Sequence, residues 1–113
     1  MKVIIAGSRG ITDYNTVLNA IDKSGFMITE VVSGTAKGVD QLGERWAREN
    51  RIQIKRFPAQ WDRYGKSAGY RRNEEMAHYA DALIAIWDGQ SRGTSHMIDF
   101  ARSQGLKVFV YTH

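Results

Sequence analysis

MITEVVSGTAKGVDQLGERWARE, residues 27–49, passes from strand formers through a turn of small residues into an amphipathic helix. Ile28, Thr29, Val31 and Val32 carry the branched side chains that suit a pleated, half-buried surface. Beyond the turn, Val39, Leu42, Trp46 and Ala47 share one helical face, with Glu44, Arg45, Arg48 and Glu49 assigned to the opposite one. Between them, Ser33–Asp40 combines two glycines, two hydroxyl side chains and one lysine, and offers little apolar surface. Such a segment is either a tight strand-to-helix turn or a loop shaped to hold an anion.

A strand running directly into a helix is half of a βαβ unit, and the rest of the chain repeats the pattern. Apolar and β-branched runs recur at 2–7, 52–57, 81–87 and 106–112. The first, fourth and fifth runs of the chain are nearly continuous, which predicts strands buried on both faces. Helical patterns separate them: Val17, Leu18 and Ile21; then Met76, Ala77 and Ala80; then Met97, Phe100 and Ala101. Asp13 is placed to cap the first helix, and Gly25 and Gly105 fall where helices should stop. The alternation predicts a single α/β domain over residues 1–113, a three-layer sandwich around a Rossmann-like parallel five-stranded sheet. Right-handed crossovers favour the order 3-2-1-4-5. Residues 58–69, PAQWDRYGKSAG, read as the one long irregular segment.

Composition narrows the functional classes. The chain has no cysteine, and its three histidines lack metal-ligand spacing, so no metal site is expected. The apolar run at the N-terminus is too short for a membrane span, which makes the cytoplasm the expected location. A net charge of +4 is compatible with nucleic acid, nucleotides or other anions without choosing among them.

In a doubly wound sheet, ligands bind beyond the carboxyl ends of the strands, near the switch point between the first and fourth. Four loops converge there: Gly7–Gly10 after the first strand, Ser33–Asp40 after the second, Tyr70–Glu75 entering the third helix, and Asp88–Thr94 after the fourth. Their glycines (Gly7, Gly34, Gly38 and Gly93) let backbone N–H groups approach a phosphate. Ser8, Ser33, Thr35, Ser91 and Thr94 offer hydroxyls, while Arg9, Lys37, Arg72 and Arg92 supply charge. Ala36, Asp40, Asn73 and Asp88 complete the candidate set. Each loop alone is also explained by turn and cap chemistry; their convergence points to a phosphate-bearing ligand. Two familiar motifs are excluded. "GKS" at 65–67 has Gln60 where a P-loop needs glycine, and "GSRGIT" lacks the G-x-G-x-x-G spacing.

Taken together, "GSR", "SGTAKGVD", "FPAQWDRYGKSAGYRRNEEM" and "ADALIAIWDGQSRGTSHMI" resemble the SLOG superfamily, in particular its YspA/cpYpsA-related branch. That superfamily groups Rossmann-like proteins around DprA and the LOG phosphoribohydrolases, and the resemblance spans almost the whole chain. It implies a nucleotide or nucleotide-derived ligand in the crevice between the loops, with no cofactor required. LOG enzymes cleave the N-glycosidic bond of nucleoside monophosphates; by resemblance Arg72 takes the place of their arginine. Gly93 and Thr94 match their phosphate loop, but Met97 stands where that pattern has a glutamate. DprA binds single-stranded DNA, which the basic charge and the aromatic arm would also suit. Related proteins commonly pair through helical faces, so a homodimer is expected.

Several residues keep two readings. Trp61 and Tyr64 could stack on a base or close the open side of the sheet, and Trp87 could cap the core or wall the ligand. His96 is a candidate acid–base group and more often an exposed or hydrogen-bonded helix residue, while Asp40 is a helix-start residue, a ribose-hydroxyl contact or a candidate catalytic carboxylate. Asn73 could meet a phosphate or cap the third helix. The order of expectation is a binding module (sensor, carrier or sponge), then a hydrolase using Arg72 and an unidentified carboxylate, then a single-stranded nucleic-acid binder.

Overall fold

A computed structural model describes residues 1–113. Five strands, β1 (Lys2–Gly7), β2 (Glu30–Ser33), β3 (Gln53–Arg56), β4 (Ala82–Trp87) and β5 (Lys107–Thr112), form one sheet in the order β3-β2-β1-β4-β5. Every neighbouring pair is parallel. The helices are α1 (Tyr14–Ser24), α2 (Val39–Glu49), the single turn α3 (Trp61–Tyr64), α4 (Ala68–Tyr79) and α5 (Arg92–Ser103). None of them is long and apolar enough to cross a membrane.

Alternation along the central strands splits the core in two, because successive side chains point to opposite faces. Val3, Ile5, Val31, Ile84 and Ile86 pack under α1 and α2. Ile4, Ala6, Val32, Leu83 and Ala85 pack under α4 and α5. Asp13 caps α1 by accepting a hydrogen bond from the Asn15 amide at 3.0 Å, and Gly25 ends that helix in the left-handed region.

Three expectations need correction. β5 is an edge strand whose side chains are only half-buried: its apolar run matches a two-faced strand, but it has a neighbour on one side alone. The segment 58–69 is not irregular. It holds α3, a 3-10 turn at Gly65–Ser67, and the first two residues of α4, each too short to show a helical period.

The third correction concerns α2. Its buried stripe is Val39, Asp40, Gly43, Glu44 and Ala47, while Leu42 and Trp46 sit half-buried at the flank. Small residues decide this. A Cβ on Gly43 would lie 2.9 Å from Ile5 Cγ2, so the helix approaches the sheet along its glycine and alanine rather than along its bulky side chains. Asp40 and Glu44, one turn apart, are thereby carried inward.

Candidate functional site

A cavity of about 490 Å³ opens at the carboxyl ends of β1, β2 and β4. It lies at the topological switch point, where β1 is flanked by β2 on one side and β4 on the other. Of the candidate residues, Gly7, Ser8, Arg9, Ala36, Asp40, Trp61, Arg72, Asn73, Asp88, Ser91, Gly93 and Thr94 line it. Ala36 and Asp40 therefore share one chamber with Gly93 and Thr94, from loops more than fifty residues apart in the chain.

The other candidates lie outside the lining. Ser33 is fully buried behind it, and Gly34 presents its carbonyl to Arg72. Thr35 occupies the left-handed region at φ 64, while Lys37 and Arg92 are exposed. Gly38, at φ 80, caps α2 so close to Arg9 that a Cβ would meet the Arg9 carbonyl oxygen at 2.5 Å. Tyr64 is flanked by the Arg63 and Arg71 guanidinium groups. Trp87 donates its indole N–H to the Ser91 carbonyl at 3.1 Å and braces the loop before α5. His96 stands behind Asn73 and Tyr70.

Arg72 is the central connector. Its guanidinium donates to the Gly34 carbonyl, and its Nε donates to Asn73 Oδ1 at 3.1 Å. Asn73, in the interior of α4 rather than at its cap, donates onward to the Gly93 carbonyl at 3.2 Å. One hydrogen-bonded line thus crosses from the β2 loop through α4 to α5. Of five guanidinium N–H groups this uses two, leaving the others for a ligand. Burial pulls the Arg72 pKa below its ordinary value, and the nearby Asp40 charge partly offsets this.

Asp40 is the cavity's buried carboxylate. It accepts from the Ala36 amide at 3.1 Å, and with Arg72 it flanks Gly34 without closing a direct ion pair. Its pKa is pushed up to about 6 because desolvation outweighs the Ala36 hydrogen bond and the attraction of Arg72. Asp88 behaves in the opposite way. Hydrogen bonds from the Ser91 and Gln90 amides, both 2.8 Å long, hold it below the usual carboxylate range. Ser8 links the loops after β1 and β4: its amide donates to Ile86 O at 3.1 Å, and its Oγ accepts from the Asp88 amide at 3.1 Å.

Arg9 and Lys66, by contrast, make no ion pair or side-chain hydrogen bond and are exposed at the cavity. α5 begins there too, with Ser91 Oγ accepting from the Thr94 amide. The preceding N1 and N2 amides have no acceptor within the helix. The floor is apolar, made by Ala6, Met76 and Met97. Unpaired cations, open amides and an apolar floor are the mixed lining of a small-ligand pocket.

A family model described as YspA, cpYpsA-related SLOG family matches residues 1–64, more than half of the chain. The chain belongs to that family. A relative from Mycobacterium phage D29, called Gene 61 protein, is 35% identical over 117 residues, covering 95% of this SLOG-family chain and 93% of its own. Among solved structures, DNA processing protein A from Streptococcus pneumoniae superposes with a TM-score of 0.75 at 20% identity. That match covers 96% of the SLOG-family chain but 49% of the other, so the chain spans about half the length of that structure. At this identity the likeness speaks for the shared fold alone.

Two groups of residues escaped the sequence reading. Lys66 and Gly69 line the cavity because the arm folds back as α3 and the start of α4. Glu44, assigned to the solvent face, is buried and accepts from Ser33 Oγ at 2.6 Å and Arg56 Nε at 2.9 Å. Ser33 Oγ in turn accepts from the Thr35 amide at 3.1 Å, which fixes the strained entry to the glycine-rich loop. The Arg56 pair is half in solvent and contributes little. The Ser33 hydroxyl is not in solvent, and Glu44→Ala leaves it without its acceptor. That variant is expected to lose about 1–3 kcal/mol of stability by chemical denaturation, with the losses of Glu44→Ala and Ser33→Ala less than additive in the double variant. Unchanged stability in Glu44→Ala would remove the link between α2 and this loop.

Proposed function

We propose that the domain binds a nucleotide-derived small molecule, ADP-ribose-like or a signalling nucleotide, and serves as a sensor, carrier or sponge. The observation that carries this reading is the charge arrangement: Arg9, Lys66 and Arg72 line one cavity at the open start of α5, and the first two have no protein partner. An anion seated there gains charge-assisted hydrogen bonds without displacing any existing ion pair. Membership of the SLOG family supports a nucleotide-related role.

Thermal-shift titration with AMP, ADP-ribose and pyrophosphate tests the reading. A ligand at a hundredfold excess over its Kd stabilises by ~2.7 kcal/mol, which for a domain of this size raises Tm by roughly 10 °C. Arg9→Ala should keep the ligand-free Tm, because Arg9 is exposed and unpaired, and should lose most of the shift. If none of the compounds raises Tm, nucleotide binding is wrong. If Arg9→Ala shifts as the parent does, the anion sits elsewhere.

Asp40 favours a second reading, hydrolysis of a nucleotide N-glycosidic bond. A buried carboxylate with a pKa of about 6 is suited to take a proton from water as the water oxygen bonds to the anomeric carbon. The C–N bond breaks, its electron pair leaves with the base, and the proton taken up by Asp40 passes to the departing base. Met97, buried in the floor, supplies no second carboxylate. Release of free base from nucleoside monophosphates, lost in Asp40→Asn, would establish this reading over simple binding.

A further inference from the structure

We infer that the mouth of the cavity is a nucleobase-stacking subsite built from Trp61 and Tyr70, with the ligand's base outermost and its phosphate directed to Arg9 and the start of α5. This deepens, and rests on, the nucleotide-binding reading above.

Trp61 and Tyr70 are the two aromatic residues left substantially exposed, at 50% and 42%, and both line the same cavity. Both keep much of their surface open to solvent, so the fold buries neither ring fully. Exposed aromatic surface forfeits the hydrophobic gain of burial, and that gain becomes available to a ligand.

Each ring has a neighbour to rest on. Tyr70 packs on His96 with ring centroids 4.5 Å apart, and His96 stacks on Phe100 at 6.0 Å with an interplanar angle of 19°. Asn73 Nδ2 lies 3.3 Å from His96 Nδ1, tying this column to the Arg72 line. On the other side, α3 carries Trp61 so that its Cη2 lies 3.5 Å from where a Gly69 side chain would begin. The indole therefore rests over the bare backbone at the start of α4, and Lys66 lines the cavity with it.

The other aromatic candidates are already occupied. Tyr64 has the Arg71 guanidinium 4.4 Å from its ring centroid and does not line the cavity. Trp87 spends its N–H on Ser91 and packs against the core. The phosphate end is placed by elimination as well. Unpaired Arg9 and the opening of α5 lie at the strand ends, whereas the mouth offers π surface and a single flexible ammonium.

The test compares two probes that differ only by the base. Affinities for AMP and ribose 5-phosphate are measured by calorimetry on the full chain, on Trp61→Ala and on Tyr70→Ala, with Tyr64→Ala as control. Base–aromatic stacking predicts that AMP binds the parent at least about fivefold more tightly than ribose 5-phosphate. The ratio should collapse toward one in Trp61→Ala and Tyr70→Ala and persist in Tyr64→Ala, while Tyr70→Phe retains it. Equal affinities in the parent, or a ratio that survives both alanine substitutions, overturns the stacking subsite and leaves nucleotide binding standing. Failure of both compounds to bind the parent overturns the nucleotide reading itself, and the subsite with it.

Discussion

Gly7→Ala is expected to remove most of the domain's stability. β1 ends at Gly7, where its neighbours are the β4 backbone and the first residue of α2. A Cβ there would lie 2.2 Å from the Ile86 carbonyl oxygen and 2.8 Å from Val39 Cγ2. The first contact is with backbone in the centre of the sheet, and that same oxygen accepts the Ser8 amide at 3.1 Å. No side-chain rotation relieves it, so β1 and β4 must separate or α2 must lift. The cost belongs at or above the upper end of overpacking penalties, about 3 kcal/mol, or a Tm lower by roughly 12 °C or more. Gly10 is the internal control. Nothing lies within 4 Å of its Cβ position, and Gly10→Ala should melt with the parent. If Gly7→Ala melts within a few degrees of the parent, the approach of α2 to the sheet is looser than described.

Asp40→Asn should have the opposite sign at neutral pH. The carboxylate pKa rises from 3.8 to about 6 on folding, so the folded state prefers the protonated form. A raised value contributes stability that is complete below the unfolded pKa and is lost as pH climbs through the folded one. For Asp40 that window runs from about pH 4 to about pH 6. Above it, ionised Asp40 costs on the order of 3 kcal/mol, and asparagine removes the charge while keeping a carbonyl for the Ala36 amide. Denaturation at several pH values should show Asp40→Asn more stable by roughly 1–3 kcal/mol at pH 7–8, with the gap closing toward pH 4. An anion in the cavity raises the Asp40 pKa further, so its affinity for the parent should fall as pH passes 6, relative to the variant. A parent and variant with parallel pH profiles in both stability and affinity would show that Asp40 is not held in a desolvated site.

These two positions also show what the sequence makes legible. The strand order and parallel pairing are written in the alternation of apolar runs with helical patterns, and the Asp13 cap and Gly25 stop are local chemistry. Asp40 as a helix-start residue is legible too, but its inward direction is not. That direction depends on α2 resting on Gly43 and Ala47, whereas the large apolar side chains Leu42 and Trp46 point the sequence reading to a neighbouring stripe. Glu44 is misread for the same reason, since its partners Ser33 and Arg56 belong to other strands. Lys66 is hidden by a different limit. A one-turn helix and a 3-10 turn have no period to detect, and only the folded-back arm brings it to the cavity.

The line from Gly34 through Arg72 and Asn73 to Gly93 has a consequence for the thermodynamics of capture. It fixes two facing walls before anything arrives, so their ordering entropy is settled during folding and not during association. The one-turn α3, with no buried residue, lacks such a tie. Association should therefore be rigid at the inner end and adaptive at the entrance, with the rate of escape governed by the short helix that carries Trp61.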